Sequence, residues 1–410
     1  MVAAFPVIVP AAALGRNGRI GANDRIQVGF IGVGGRARSI LKDEWVADQA
    51  QVVAVADCFF PRCVETAKAI PGGDAWKLYP SYRSMLDAHK LDAVFVETCT
   101  HARVLALIHC LQAGCDVYGE KPLTLTISEG RTLVDWVKKT GRVLQTGSQQ
   151  RSMPINLFAS KLVREGAIGT VREVITFNFW PPSDWMPRAS HPIPEGLDWD
   201  QWCNQTDLRP YHPNLQFGWG NYVEYDGGGQ SWGVSGWGTH AIDQVQAALG
   251  TDHTGPVEII PDEPGPTGKV TLKYASGTLL KLHGPKRGYE DLGATFIGDS
   301  GQIDILRGSA KADPASLLQG APPNSPSVAA GETTPHLLNF FDCIRTRNAP
   351  NADVETGHRA TTVCHLINIV RAAGRPLHWD PVAERFTGDE AANEFLSRPR
   401  RPGYELPTVS

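Results

Sequence analysis

The 410-residue sequence predicts an α/β protein: a doubly wound parallel sheet, followed by an α+β domain with an open, largely antiparallel sheet. Three observations carry this prediction. An apolar run over 25–31 feeds directly into a glycine-rich turn. Short apolar runs then alternate with helical stretches to about residue 150, and beyond that the runs alternate in polarity and come in adjacent pairs. A chain of this length exceeds one simple core. The pattern divides it into an amino-terminal segment (1–24), the parallel-sheet domain (25–150), the α+β domain (151–383) and a carboxy-terminal tail (384–410).

Arg25-Ile26-Gln27-Val28-Gly29-Phe30-Ile31 reads as a buried parallel strand, and Gly32-Val33-Gly34-Gly35-Arg36-Ala37 follows it as G-x-G-x-x-A. Gly32 permits the tight turn, Gly34 lets the backbone approach a pyrophosphate, and the small Ala37 lets the next helix lie close to the strand. A second strand, Gln51–Ala56, ends in Asp57, about 25 residues past Gly32. A carboxylate there accepts hydrogen bonds from the adenine ribose and repels a 2′-phosphate, which favours NAD over NADP. Arg62 is the nearby cation that would tolerate the phosphate, and Asp57 also reads as a turn cap. Ala93–Thr98, Asp116–Gly119 and Val143–Gly147 continue the strands of a Rossmann domain, with a helical stretch beginning near His101. Ligand is expected at the carboxyl ends of these strands.

In the second domain a helical stretch (155–165) leads to Val171–Trp180, which alternates like a half-exposed strand. Lys269–Tyr274 and Thr278–His283 flank Ala275-Ser276-Gly277 as a hairpin, and Ala294–Gly298 with Gly301–Ile305 make another pair. Leu306–Thr333 reads as a surface loop. The stretch from Trp180 to Gly229 is crowded with tryptophan, tyrosine and proline. Most of these rings are expected to fill a loop-rich core. Arg188, Arg209, Tyr211 and His212 are the candidates for contacting sugar hydroxyls or a carboxylate.

A net charge of −4 leaves no basic footprint, so nucleic acid is not an expected partner. The eight cysteines contain no CxxC pair and are expected as buried free thiols. No metal site is expected, since neither His191 nor His336 has ligand-like spacing. The apolar 3–15 segment is too short to span a membrane, and no stretch approaches 18 apolar residues. That segment reads as the tail of an export signal, implying a periplasmic protein. The alternative is a structural arm on a cytoplasmic one.

Gly119-Glu120-Lys121-Pro122-Leu123, Gly147-Ser148-Gln149-Gln150-Arg151 and Gly238-Thr239-His240-Ala241-Ile242-Asp243 together resemble the Gfo/Idh/MocA family of sugar and inositol oxidoreductases. Leu197-Asp198-Trp199-Asp200, Arg209–Pro213 and Asp353–Arg359 are similar to an exported, planctomycete-like subgroup. The resemblance implies an NAD cofactor held by Gly32, Gly34, Gly35, Arg36, Asp57, Thr98, His101, Glu120, Lys121 and Gln149. It implies that Lys121 holds the reacting oxygen, that His240 exchanges the proton, and that Trp237 and His240 border a carbohydrate substrate. It also implies a homo-oligomer. Asp243 is expected to be structural. Two positions depart from the family: Gly236 stands where an aspartate is common, and Arg103 where a histidine is frequent. Tyr225, Asp226 and Glu224 are candidates to replace the missing carboxylate, with Tyr225 taken as the catalytic one. The expected activity is NAD-dependent oxidation of a secondary hydroxyl. Its rivals are a glycoside hydrolase that retains and recycles NAD, and a non-catalytic NAD-binding protein.

Overall fold

The computed structural model describes residues 21, 24–226, 232–285, 292–325 and 333–409. Of the segment 1–24 read as an arm or export remnant, only residues 21 and 24 are described.

Six parallel strands form the first sheet: β1 (Ile26–Ile31), β2 (Ala50–Ala56), β3 (Lys77–Tyr79), β4 (Ala93–Val96), β5 (Asp116–Gly119) and β6 (Leu144–Thr146), in the order β3-β2-β1-β4-β5-β6. Strand β3 was not anticipated. Three residues, one of them an exposed lysine, carry too little apolar signal. The central strands are apolar throughout because both faces are covered. In β4, Val94 and Val96 join one core cluster, with Leu107 of the helix Arg103–Gln112 and Leu133 of the helix Ile127–Thr140. Ala93 and Phe95 point to the other cluster, with Phe30 and Tyr118. That second cluster also takes Leu337, Phe340 and Phe341 from a helix at Thr334–Thr346, which sequence position alone assigns to the second domain.

The second sheet has nine strands. To β7 (Val171–Phe177), β9 (Val270–Tyr274), β10 (Leu279–Gly284), β11 (Ala294–Gly298) and β12 (Gly301–Leu306), all expected, it adds β8 (Pro256–Pro261), β13 (Ser309–Asp313), β14 (Leu377–Asp380) and β15 (Arg385–Phe386). The order is β13-β12-β11-β7-β10-β9-β8-β14-β15, antiparallel except for the β7–β10 pair. Its core cluster includes Val174 and Leu280 from the strands, with Ile242 and Val245 of the helix Gly238–Leu249 and Leu366 and Val370 of the helix Val354–Ala373.

Two expectations are corrected. Leu306–Thr333 is not simply a loop: β13 pairs with β12 through a two-residue turn, Arg307-Gly308, with Gly308 at φ +68°. The weak β propensity of Ser-Ala-Lys-Ala-Asp hides a strand that pairing alone supports. Residues 384–410 are not a free tail either. Strand β15 pairs with β14, Arg401 bonds the Asp200 carboxylate, and Pro407 O accepts from Trp136 Nε1 at 3.0 Å. All eight cysteines are free thiols. No described helix is long and apolar enough to cross a membrane.

Candidate active site

The glycine turn closes β1 where the strand order reverses, between β1 and β4. Gly32 has φ +80°, and a Cβ there would lie 3.0 Å from the backbone of Glu97 and Thr98. Only glycine fits both constraints. A Cβ on Gly34 or Gly35 would instead meet nothing within 4 Å, so the space beside their backbone is open. Asp57 stands at the end of β2 with its carboxylate accepting from Val33 N (3.0 Å) and Phe59 N (2.9 Å), and Arg62 lies 3.3 Å away. Asp57 is thus both a turn cap and a wall of the cleft. The cleft, about 420 Å³, is lined by Gly32, Gly34, Gly35, Arg36, Asp57, Arg62, Glu97 and Thr98 from the first domain. Gln201, Trp202, Asn204, Gln216, Phe217 and Trp219 line it from the second. Open backbone at the turn, a carboxylate past β2 and a crossing point between β1 and β4 fit a dinucleotide.

A second cavity of about 230 Å³ adjoins it and shares Arg36, Glu97, Thr98 and Trp219. Its further lining is Arg103, Glu120, Lys121, Pro122, Asp226 and Gly236. Lys121 follows β5, and its Nζ donates to Gly236 O at 2.9 Å. The position that lacks the family's carboxylate therefore holds the lysine with a backbone carbonyl. Burial pulls the Lys121 ammonium down to about 8, against the raising influence of Glu120 and Asp226. Burial pushes the Asp226 carboxyl up to about 6, against Arg103 and Lys121. Asp226 Oδ2 accepts from Ser235 Oγ at 3.2 Å, and its buried Oδ1 has no hydrogen-bond partner. Arg103 donates to Pro122 O and to Thr98 O (2.5 Å), tying the lysine segment to the end of β4. Glu120 accepts from Arg36 Nε (3.0 Å) and Lys121 N (2.9 Å). Gln149 accepts from Arg36 Nη2 (2.8 Å) with its NH2 on Gly147 O.

Of the expected site residues, Gly32, Gly34, Gly35, Arg36, Asp57, Thr98, Glu120 and Lys121 line one or both cavities. Gln149 reaches them through Arg36. His240 is buried at the start of its helix, outside the cavity lining, with Nδ1 unpartnered. Burial, then Lys121, holds its pKa well below the usual imidazole value.

The structure places the other expected contacts outside the lining of both cavities. Tyr225 is fully buried in the aromatic cluster of the Trp180–Asp226 stretch, edge-on to His101, while its neighbour Asp226 takes the cavity wall. His101 Nε2 meets Trp202 O at 2.7 Å; it packs against the Trp180–Asp226 stretch, where burial lowers its pKa to about 4, and lines neither cavity. Arg188 lies exposed over the Trp185 ring. Arg209 pairs with Glu224 at 3.1 Å, Tyr211 Oη donates to Gln216 Oε1 at 2.8 Å, and His212 Nδ1 accepts from Asn214 N as a helix cap. Trp237 stacks edge-on to Trp232 at 4.8 Å. Each makes a local contact within this aromatic stretch or beside it. Asp243 is structural: both its oxygens lie 2.8 Å from Arg151 Nε.

Glu97 was read only as part of a strand end. An acidic residue at the carboxyl end of a doubly wound strand was the signal available.

Fold and site define a dinucleotide-binding protein whose second domain closes over the nucleotide cleft. The chain belongs to the Gfo/Idh/MocA family. Residues 26–148 match its NAD-binding Rossmann fold and residues 160–406 its C-terminal alpha/beta domain. It is 30% identical over 120 residues to the scyllo-inositol 2-dehydrogenase (NAD(+)) of Bacillus subtilis, covering 29% of this chain and 34% of that protein. It is 28% identical over 158 residues to glycosyl hydrolase family 109 protein 2 of Akkermansia muciniphila, covering 35% and 32%. The matches thus span about a third of the length of these curated relatives. The WlbA dehydrogenase from Bordetella pertussis, solved with NADH and UDP-GlcNAcA, superimposes with a TM-score of 0.65 at 17% identity, over 87% of this chain and 98% of that one.

Proposed function

We propose that the protein is an NAD-dependent oxidoreductase acting on a secondary hydroxyl of a sugar or glycoside. The observation that carries this reading is the meeting of Lys121 and Asp226 in a cavity that shares a wall with the nucleotide cleft. When bound, the nicotinamide supplies the acceptor for the hydride leaving the carbinol carbon. Lys121, charged below about 8, donates to the substrate oxygen and stabilises the developing alkoxide. Asp226, ionised above about 6, accepts the hydroxyl proton. The proton-exchange role expected of His240 passes to Asp226 in this reading, because His240 is held neutral outside the cavity lining. Incubation with NAD and a panel of sugars and polyols, reading NADH, tests it. NADH formation that Lys121→Ala abolishes is expected, and no NADH from any sugar or glycoside would defeat it.

A second reading is a glycoside hydrolase that keeps its NAD. It oxidises the sugar, eliminates the aglycone, adds water and returns the hydride. Two observations favour it: the insert residues that cover the nucleotide cleft from the second domain, and the relative named as a glycosyl hydrolase. Nitrophenyl glycosides offered without added NAD separate the two, since only the retained-cofactor hydrolase releases nitrophenol over many turnovers. In either reading the covered cleft predicts that the purified protein carries nucleotide through extensive dialysis, checked by denaturing it and assaying the supernatant.

A further inference from the structure

Glu97 directly follows β4, and its side chain lines both the nucleotide cleft and the lysine cavity. Both Oε1 and Oε2 are buried, and neither has a hydrogen-bond partner. The neighbouring cations are otherwise engaged: Arg36 pairs with Glu120 and Glu44, and Arg103 donates to two backbone carbonyls. Burial, and then Glu120, pushes the Glu97 carboxyl well above the usual range. A buried carboxyl with both oxygens unused is costly unless a ligand satisfies it.

Its position says which ligand. The Glu97 backbone lies 3.0 Å from the Cβ that Gly32 lacks, so the residue adjoins the turn beside which a dinucleotide passes. Strand β4 lies across the order reversal from β2, whose end carries Asp57 on the adenosine side. Glu97 therefore stands under the other half of the dinucleotide. As a carboxylate it repels phosphate and its two oxygens match a pair of vicinal O–H donors, whose hydrogen bonds favour the ionised form that burial alone opposes. We propose that Glu97 binds the vicinal hydroxyls of the nicotinamide-side ribose, anchoring the second half of the cofactor. The proposal rests on the dinucleotide reading above. Vicinal hydroxyls of a sugar substrate share this chemistry, and the experiment separates the two sources.

Full-length protein is stripped of nucleotide on charcoal and titrated calorimetrically with ADP, which lacks the second ribose, and with ADP-ribose, which has it. Wild type is expected to bind ADP-ribose more tightly than ADP. Glu97→Ala should weaken ADP-ribose about tenfold and leave ADP within about twofold, with Glu97→Gln intermediate because it keeps one acceptor. ADP binding serves as the internal check that each variant is folded. An unchanged ratio of the two affinities in Glu97→Ala overturns the assignment. If sugar binding to the NAD-loaded variant falls instead, the hydroxyls belong to the substrate. Loss of ADP and ADP-ribose together in both variants marks Glu97 as structural and overturns it too. Wild type that binds no ADP would defeat the dinucleotide reading itself, and this inference with it.

Discussion

The nucleotide cleft and the lysine cavity share a wall but are made of different material. The cleft is built on a glycine turn, with open space at Gly34 and Gly35 and the Asp57 carboxylate capped by the turn it helps to hold, and side chains of both domains wall it. The cavity is mostly ionisable side chain, drawn from six separate stretches: Arg36, Glu97 to Arg103, Glu120 to Pro122, Trp219, Asp226 and Gly236. Backbone recognition tolerates solvent and needs only local conformation. Acid–base chemistry needs groups whose pKa values lie near the working pH, and burial among charges is what moves them there.

The sharpest test of this contrast is Lys121→Ala. Turnover should fall about 10²–10³-fold with the NAD dissociation constant within a few-fold of wild type, because in the proposed mechanism the lysine acts on the reacting oxygen. Comparable losses of both would mean that the two regions are one. Asp226→Asn should lower kcat about 10²-fold, the low end for a lost proton acceptor. Tyr225→Phe, altering the adjacent residue in the aromatic cluster, should stay within a few-fold. The reverse ranking would return the catalytic role to the tyrosine.

The pH profile of kcat should be bell-shaped. On the acid side activity is lost as Asp226 protonates below about 6, and on the alkaline side as Lys121 loses its proton above about 8. Each limb should change roughly tenfold per pH unit, with the apparent values belonging to the coupled pair. Asp226→Asn should erase the acid limb, and an intact limb would assign it elsewhere. The smallest effect falls on the cleft. Asp57→Ala removes the group that repels a 2′-phosphate and frees Arg62, now 3.3 Å from that carboxylate, to attract it. The ratio of NAD to NADP affinity should shrink about tenfold. An unchanged ratio would leave Asp57 as a turn cap alone.

The sequence by itself determined the parts whose signal is local. The apolar run of β1, the glycine turn, Asp57 one strand later and Lys121 after β5 stand within short stretches, where side-chain period and backbone freedom decide the structure. Set beside the family's pattern, it also implied that a carboxylate was missing at Gly236. Only the tertiary structure decided which nearby carboxylate reaches the lysine cavity. Tyr225 and Asp226 are adjacent in sequence, yet one side chain goes into the aromatic cluster and the other into the cavity. Likewise β13 exists because β12 offers it an edge, and the helix Thr334–Thr346 joins the first sheet because Phe340 and Phe341 find Phe95 there. Arg188, Arg209, Tyr211 and His212 also lie outside the lining of both cavities, each in contact with its own neighbours. Burial, pairing and the pKa of a lysine depend on what packs around a residue, and much of what surrounds Lys121 comes from more than 100 positions along the chain.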